Sequence, residues 1–419
     1  MAWEVARLPA PKALAEAAAE RWREAVEAVE AGETARVRSC LERWPELRAA
    51  RGGGGRTLLH VAAHAGVVAS AQALLEAGVA PQLRDVLGLC PGDEAFEAGC
   101  QGIFDLLVER NCAAVLAEQA EEAELAEEAD EAEEAEEAEP DAKRPCRRDC
   151  DNAGGDDSGH PAHAAYLRQT LRYDEGRLLD EDGRGVMMGW EAPLMAKHAA
   201  VLLPEPGADI LNVGFGLGLI DGCIQERRPR SHTIIEAHPD VLTEMRRRGW
   251  YDKPGVTVHS GRWQDVVASL PRGSFDAIYF DTWQETYKDV LDFQAHLLRL
   301  LRPGGRFSFF NGVAPYSIAE HATFCRLAQG DLRALGLECA FYPLELGRLG
   351  DSTWRGVALR YWQFEIYYLP LATRPPFFTG ADSSTSAVTE PSGSALEGTS
   401  GGQLLSSQWR RWPSAPVCV

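Results

Sequence analysis

Ile210-Leu211-Asn212-Val213-Gly214-Phe215-Gly216-Leu217-Gly218 decides the fold: an apolar run meets three glycines at alternate positions and passes into a helical stretch over 216–228. Glycines at such a junction let the backbone approach a ligand closely and aim the first N–H groups of the helix at it. A nicotinamide dinucleotide wants GxGxxG, but the third glycine would fall on Leu219 or Asp221, so that fingerprint fails. Outward from this stretch, ADILNVGF, HTIIEA, VTVHSG, FDAIYFD, RFSFFNG and RYWQFEIYYLP read as strands. Helical stretches at 216–228, 239–249, 287–301 and 317–336 separate them. This alternation predicts an α/β fold with a doubly wound, mostly parallel sheet whose ligand sits at the strands' C-terminal ends.

Acids stand at those ends. Glu236, in Glu236-Ala237-His238, comes eighteen residues after Gly218, where an acid can accept both hydroxyls of a ribose. Asp281 closes the apolar run FDAIYF, and an acid there has few structural uses. Glu191 lies in VMMGWEAPLM, ahead of the first strand. Gly261-Arg262-Trp263-Gln264 follows the third strand, where a loop can cover an adenine; Trp263 reads equally as a core residue of the next helix.

GxGxG with an acid after the second strand is the pattern of class I methyltransferases. VMMGWEAPLM, LNVGFG, IIEAH, GRW and FDTW, in that order, closely resemble the family that holds guanidinoacetate methyltransferase and the ankyrin-bearing arginine δ-N-methyltransferases of fungi and plants. The resemblance spans nearly all of 166–369. It implies a Rossmann-like seven-stranded sheet and S-adenosyl-L-methionine as cofactor. Glu191 and Asp281 would hold a substrate guanidinium. Met187, Gly214, Phe215, Gly216, Leu217, Gly218, Leu219, Ile220, Glu236, Ala237, His238, Arg262, Trp263 and Asp281 would surround the cofactor, with Tyr166 closing the site. Ala192 stands where the family usually has Thr, which loses a hydroxyl but neither carboxylate. Fungal members imply a ribosomal protein as partner.

The chemistry agrees with two acids. A guanidinium keeps its proton to a pKa above about 12, so it is a poor nucleophile until it is held and relieved of that proton. Two carboxylates matched to its terminal NH2 groups leave the carbon-bearing nitrogen facing a methyl donor.

The N-terminal part repeats over 20–112. RTLLHVAAHAG, Arg56 to Gly66, is followed by ALLEAG, and thirty-three residues on, Cys90-Pro91-Gly92-Asp93-Glu94-Ala95 precedes DLLVERN. Thr57-Leu58-Leu59-His60-Val61-Ala62 resembles the ankyrin signature TPLHxA, and Asp93 stands where the second unit would carry its histidine. An earlier unit fits around Ala31-Gly32 and Cys40-Leu41. Such helical hairpins must stack to bury their apolar faces, and we expect them to do so on each other, leaving a separable domain at 161–370. His60 is expected to be a structural tie.

Net charge is −21, but 118–141 alone holds fourteen acids and no Lys or Arg, leaving −7 elsewhere. A clustered basic face for nucleic acid is absent from the pattern. The region 113–160 reads as an acidic, disordered or fraying helical linker, because like charges at i,i+4 repel. Lys143-Arg144-Pro145-Cys146-Arg147-Arg148 reads equally as a nuclear import signal or as local charge balance. Residues 371–419 read as a disordered tail with Trp409 and Trp412 unexplained. Ten cysteines without a CxxC pair suit a reduced, metal-free, cytoplasmic protein, with no signal peptide and no membrane span.

Three hypotheses stand. The first is a protein arginine δ-N-methyltransferase whose repeats help recognise the substrate. The second is methylation of a small guanidino compound. The third is a non-catalytic ankyrin scaffold, against which intact Glu191, Asp281, Glu236 and the three glycines speak. The paired glutamates and THW loop of ω-nitrogen arginine methyltransferases are not found in the sequence.

Overall fold

A computed structural model describes residues 16–137, 161–283 and 287–376. Three helix pairs come first: α1 (Glu16–Glu30) with α2 (Thr34–Arg43), α3 (Leu58–Ala65) with α4 (Val68–Glu76), and α5 (Pro91–Glu97) with α6 (Gln101–Glu137). His60 is fully buried: Nδ1 accepts from Thr57 N at 3.0 Å, and Nε2 reaches Leu89 O at 3.0 Å. Burial lowers its pKa, so it is a neutral tie between one turn and the next.

α6 continues as one helix through Glu137, so the acidic run up to that residue extends the last helix pair. The basic cluster 143–148 lies outside the described residues, as does the tail from residue 377.

The second part begins with α7 (Pro161–Tyr166) and a small antiparallel sheet, β1 (Arg172–Asp174), β2 (Arg177–Leu179) and β3 (Gly185–Met188). Next come α8 (Ala192–Leu202), β4 (Asp209–Val213), α9 (Leu219–Glu226), β5 (Ser231–Glu236), α10 (Pro239–Arg247), β6 (Val256–Ser260), α11 (Trp263–Val266) and β7 (Phe275–Phe280). The rest is α12 (Tyr287–Gln294), α13 (Leu297–Leu300), β8 (Leu301–Phe309), α14 (Ile318–Ala334), β9 (Glu338–Glu345) and β10 (Ile366–Thr373).

The large sheet has the order β6-β5-β4-β7-β8-β10-β9, parallel except for β10, which runs antiparallel to both neighbours. Every residue of β4 is buried, as a central strand covered on both faces requires. The chain winds from β4 toward β6, then returns to β7 on the other side, so the switch point lies between β4 and β7. Val213 pairs with both Ile235 and Phe280. The next residues, Gly214, Glu236 and Asp281, therefore stand in a row along the sheet's C-terminal edge.

Two sequence expectations are corrected here. Strand β9, ECAFYPLE, escaped the pattern because it is an edge strand with mixed exposure. The helix pairs also do not bury their faces only on one another. They pack through α5 and α6 onto α14, and one continuous apolar cluster runs from Ala25 through Phe104 to Phe280 and Ala372.

Candidate active site

The glycine loop is shaped by what lies against it. A Cβ on Gly214 (φ 91°) would sit 1.8 Å from the backbone oxygen of Asp281, and one on Gly218 would sit 2.5 Å from the Phe215 ring. Glycine at 214 thus lets the β4 and β7 ends touch, with Asp281 N donating to Val213 O at 2.9 Å. Phe215 and Ile220 are fully buried and serve the core, leaving their backbone to the loop. The small sheet covers the loop from outside. Met187 Sδ accepts from Leu217 N at 3.3 Å, and the Tyr173 hydroxyl donates to Gly216 O at 3.3 Å. Below, Asn212 donates to Gly214 O and to Asp221, both at 2.8 Å.

Glu236 is buried and gathered into this turn. One oxygen accepts from Phe215 N at 2.9 Å; the other accepts from Ala237 N at 2.8 Å and His238 N at 2.7 Å. Burial raises its pKa, and the N–H groups oppose that rise. His238 caps α10, accepting from Asp240 N at 3.2 Å. The Tyr166 ring lies 4.9 Å from His238 and 6.5 Å from Trp283, so it spans the ends of β5 and β7. Beneath that roof His238 Nε2, Thr282 Oγ1 and Trp283 Nε1 are buried without a hydrogen-bond partner. Buried polar atoms in that state call for a ligand or water.

Arg262 caps α11 and pairs with Asp265 at 3.1 Å. The Trp263 ring packs edge-on against Phe280 and Phe293 at 6.0 and 5.3 Å, which is its core alternative.

Glu191 reaches the same end of the sheet from the turn before α8. It is 3% exposed, and Oε1 accepts from Met188 N at 2.9 Å and from the Tyr361 hydroxyl. Burial pushes its carboxyl up to about 7. Asp281 hydrogen-bonds with the Tyr279 hydroxyl. Met195, one turn along α8 from Glu191, accepts from the Tyr279 hydroxyl at 3.3 Å, and Tyr279 stands two residues before Asp281, so α8 brings Glu191 toward the β7 end although ninety positions separate the two acids. Trp190 and Trp354 flank Tyr361 with ring centroids at 5.8 and 5.1 Å, and Trp362 packs on Trp190 at 6.1 Å. This aromatic wall is absent from the sequence expectations, because RYWQFEIYYLP reads as strand core. In fact β10 begins only at Ile366, and Tyr361 and Trp362 belong to the loop before it.

A mixed α/β architecture with this strand order, a glycine loop and an acid at the end of the second strand fits the class I methyltransferase fold. The description "Guanidinoacetate N-methyltransferase" belongs to the family model that matches residues 157–318. The chain is 45% identical over 212 residues to "Protein arginine N-methyltransferase 2" of Aspergillus oryzae, covering 50% of this chain and 51% of that protein. It is 38% identical over 233 residues to the Saccharomyces cerevisiae protein of the same name, covering 53% and 56%. The chain thus spans about half the length of the curated relatives it matches.

Proposed function

We propose that this protein transfers a methyl group from S-adenosyl-L-methionine to the δ nitrogen of arginine residues in a protein substrate. The placement of two site carboxylates, Asp281 at the end of β7 and Glu191 at the start of α8, with α8 tied to β7 through Met195 and Tyr279, carries the reading. A planar cation with two NH2 groups is the natural complement of two carboxylates at a strand end.

The residues present suit the cofactor. The close glycine loop, the acid Glu236 and the buried polar atoms of His238, Thr282 and Trp283 offer contacts for ribose, base and amino-acid portions. When bound, S-adenosyl-L-methionine supplies an electrophilic methyl on a sulfonium. Glu236 would accept from the ribose hydroxyls, and the glycine loop would let the cofactor lie close to the backbone. Glu191 and Asp281 fix the guanidinium plane and leave the carbon-bearing nitrogen turned toward the methyl. Asp281 would take the proton which that nitrogen gives up when its bond to the methyl carbon forms and the methyl–sulfur bond breaks, the electron pair of the latter staying on the sulfur. Tyr166 and the tryptophans exclude water. We read the three helix pairs as ankyrin repeats and the protein as cytoplasmic. The names of the fungal relatives support a protein arginine; the matched family description favours a small guanidine as the second reading.

Mass spectrometry of the product separates these readings and separates δ from ω substitution. Alongside it, Asp281→Asn keeps the shape and removes the charge. Turnover should fall by about 10²-fold or more while cofactor affinity holds, and Glu191→Gln should retain more activity. Near-normal turnover of the Asp281 variant would end the clamp reading.

A further inference from the structure

Asp93 occupies the repeat position that His60 holds one unit earlier. Each ties its own helix start: Thr57 N donates to His60 Nδ1 at 3.0 Å, and Cys90 N donates to Asp93 Oδ2 at 3.0 Å. From there the two diverge. The other nitrogen of His60 reaches the next turn of the repeat, whereas the other oxygen of Asp93 leaves the repeat altogether. Asp93 Oδ1 accepts from Ser317 Oγ at 2.8 Å and from Ala319 N at 3.1 Å. Ser317 is the N-cap of α14, so Asp93 supplies a second acceptor to that helix start.

The surroundings are built for this contact. Asp93 is 3% exposed, and a Cβ on Gly92 would lie 2.5 Å from that of Ala319. Arg84 pairs with Glu320 and lies 5.1 Å over the Tyr316 ring, while Arg326 donates to Asp105 at 2.8 Å.

The capped helix end leads to the carboxylate site. His321, one turn along α14, bonds Val313 O at 2.8 Å and meets Trp362 edge-on at 5.9 Å. Gln363 N donates to Pro315 O at 3.2 Å. Beside them Tyr361 donates to Glu191, and Trp362 packs on Trp190.

We propose that Asp93 is a positioning residue for the substrate side of the site. By capping α14 it fixes the loop 311–317 and the segment 361–364 that orients Glu191, so the third helix pair is part of the site's scaffold. The effect on substrate rests on the proposed role of Glu191; the effect on backbone order does not.

The test uses the full chain with Asp93→Ala, Asp93→Asn and Ser317→Ala. Hydrogen exchange is followed by mass spectrometry over 311–324 and 360–365. KM and kcat are measured on an arginine-containing peptide, and S-adenosyl-L-methionine affinity by calorimetry. Asp93→Ala should speed exchange in both segments and raise KM about three- to thirtyfold, the span expected for coupling through a packed element, with cofactor affinity within about twofold of wild type. Asp93→Asn, which keeps one oxygen for Ser317 and Ala319 but sets an NH2 against Cys90 N, should bring both part of the way back to wild type. Faster exchange confined to 84–110, or a lower melting temperature with unchanged exchange at 360–365 and unchanged KM, would overturn the proposal. Should the alanine variant fail to fold, the other two decide by the same criteria. A wild type that methylates no guanidine would remove the proposed function and leave the exchange result to judge Asp93.

Discussion

Glu236 shows how one side chain can serve fold and ligand together. Its two oxygens accept three backbone N–H groups, from Phe215, Ala237 and His238, and thereby hold the glycine loop against the start of α10. Glu236→Ala therefore removes more than a ribose acceptor, because each N–H left buried without a partner costs about 1–3 kcal/mol. The variant should bind S-adenosyl-L-methionine at least about tenfold more weakly by calorimetry and melt at a lower temperature. Unchanged affinity would take Glu236 out of the site. Asp209, at the opposite end of β4, makes the contrast: Arg230 and Arg302 hold it well below the ordinary carboxylate range, in an ion cluster that ties strand beginnings together.

At the scale of elements, the connection between β9 and β10 matters most, because it brings Tyr361 to Glu191. Burial pushes Glu191 from 4.5 up to about 7, while bonds from Tyr361 and Met188 N pull it back. Between those two values the folded state holds a proton that the unfolded chain has released, so this group's contribution to stability falls as pH rises through the window. A guanidinium clamp needs the ionised form, so kcat/KM should climb with pH through about 7. Tyr361→Phe removes a donor to the charged carboxylate and should move that limb upward by about one unit. A pH–rate profile shifted downward, or not at all, would contradict the assigned contact.

At the scale of the whole molecule, the helix pairs pack onto the sheet through α5 and α6 against α14. Repeat-like helices and sheet share a continuous apolar cluster, and the contact includes the Arg84–Glu320 and Arg326–Asp105 pairs as well as Asp93. Deleting 1–150 uncovers the face of α14 that carries buried Ala319 and Thr323. The truncated chain should melt about 5–15 °C lower, given about 2–4 °C per kcal/mol for a domain of this size. A truncation with an unchanged melting point would restore the picture of separable domains.

The sequence by itself determined the alternating sheet, the glycine loop and the acids Glu236 and Asp281. Hydrophobic period, glycine spacing and strand-end position are local properties, and a parallel sheet turns them into one edge. It also marked Glu191 and Asp93 as departures from their surroundings without saying what each one touches. Only the tertiary structure decided those partners. Tyr361 lies 170 residues from Glu191 along the chain and Ser317 lies 224 from Asp93, so no local pattern relates them. The same holds for Trp263, whose indole can cover a ligand or fill a core with equal local logic. Its ring packs against Phe280 and Phe293, contacts that no local pattern foretells, because the space between sheet and helix has to be filled.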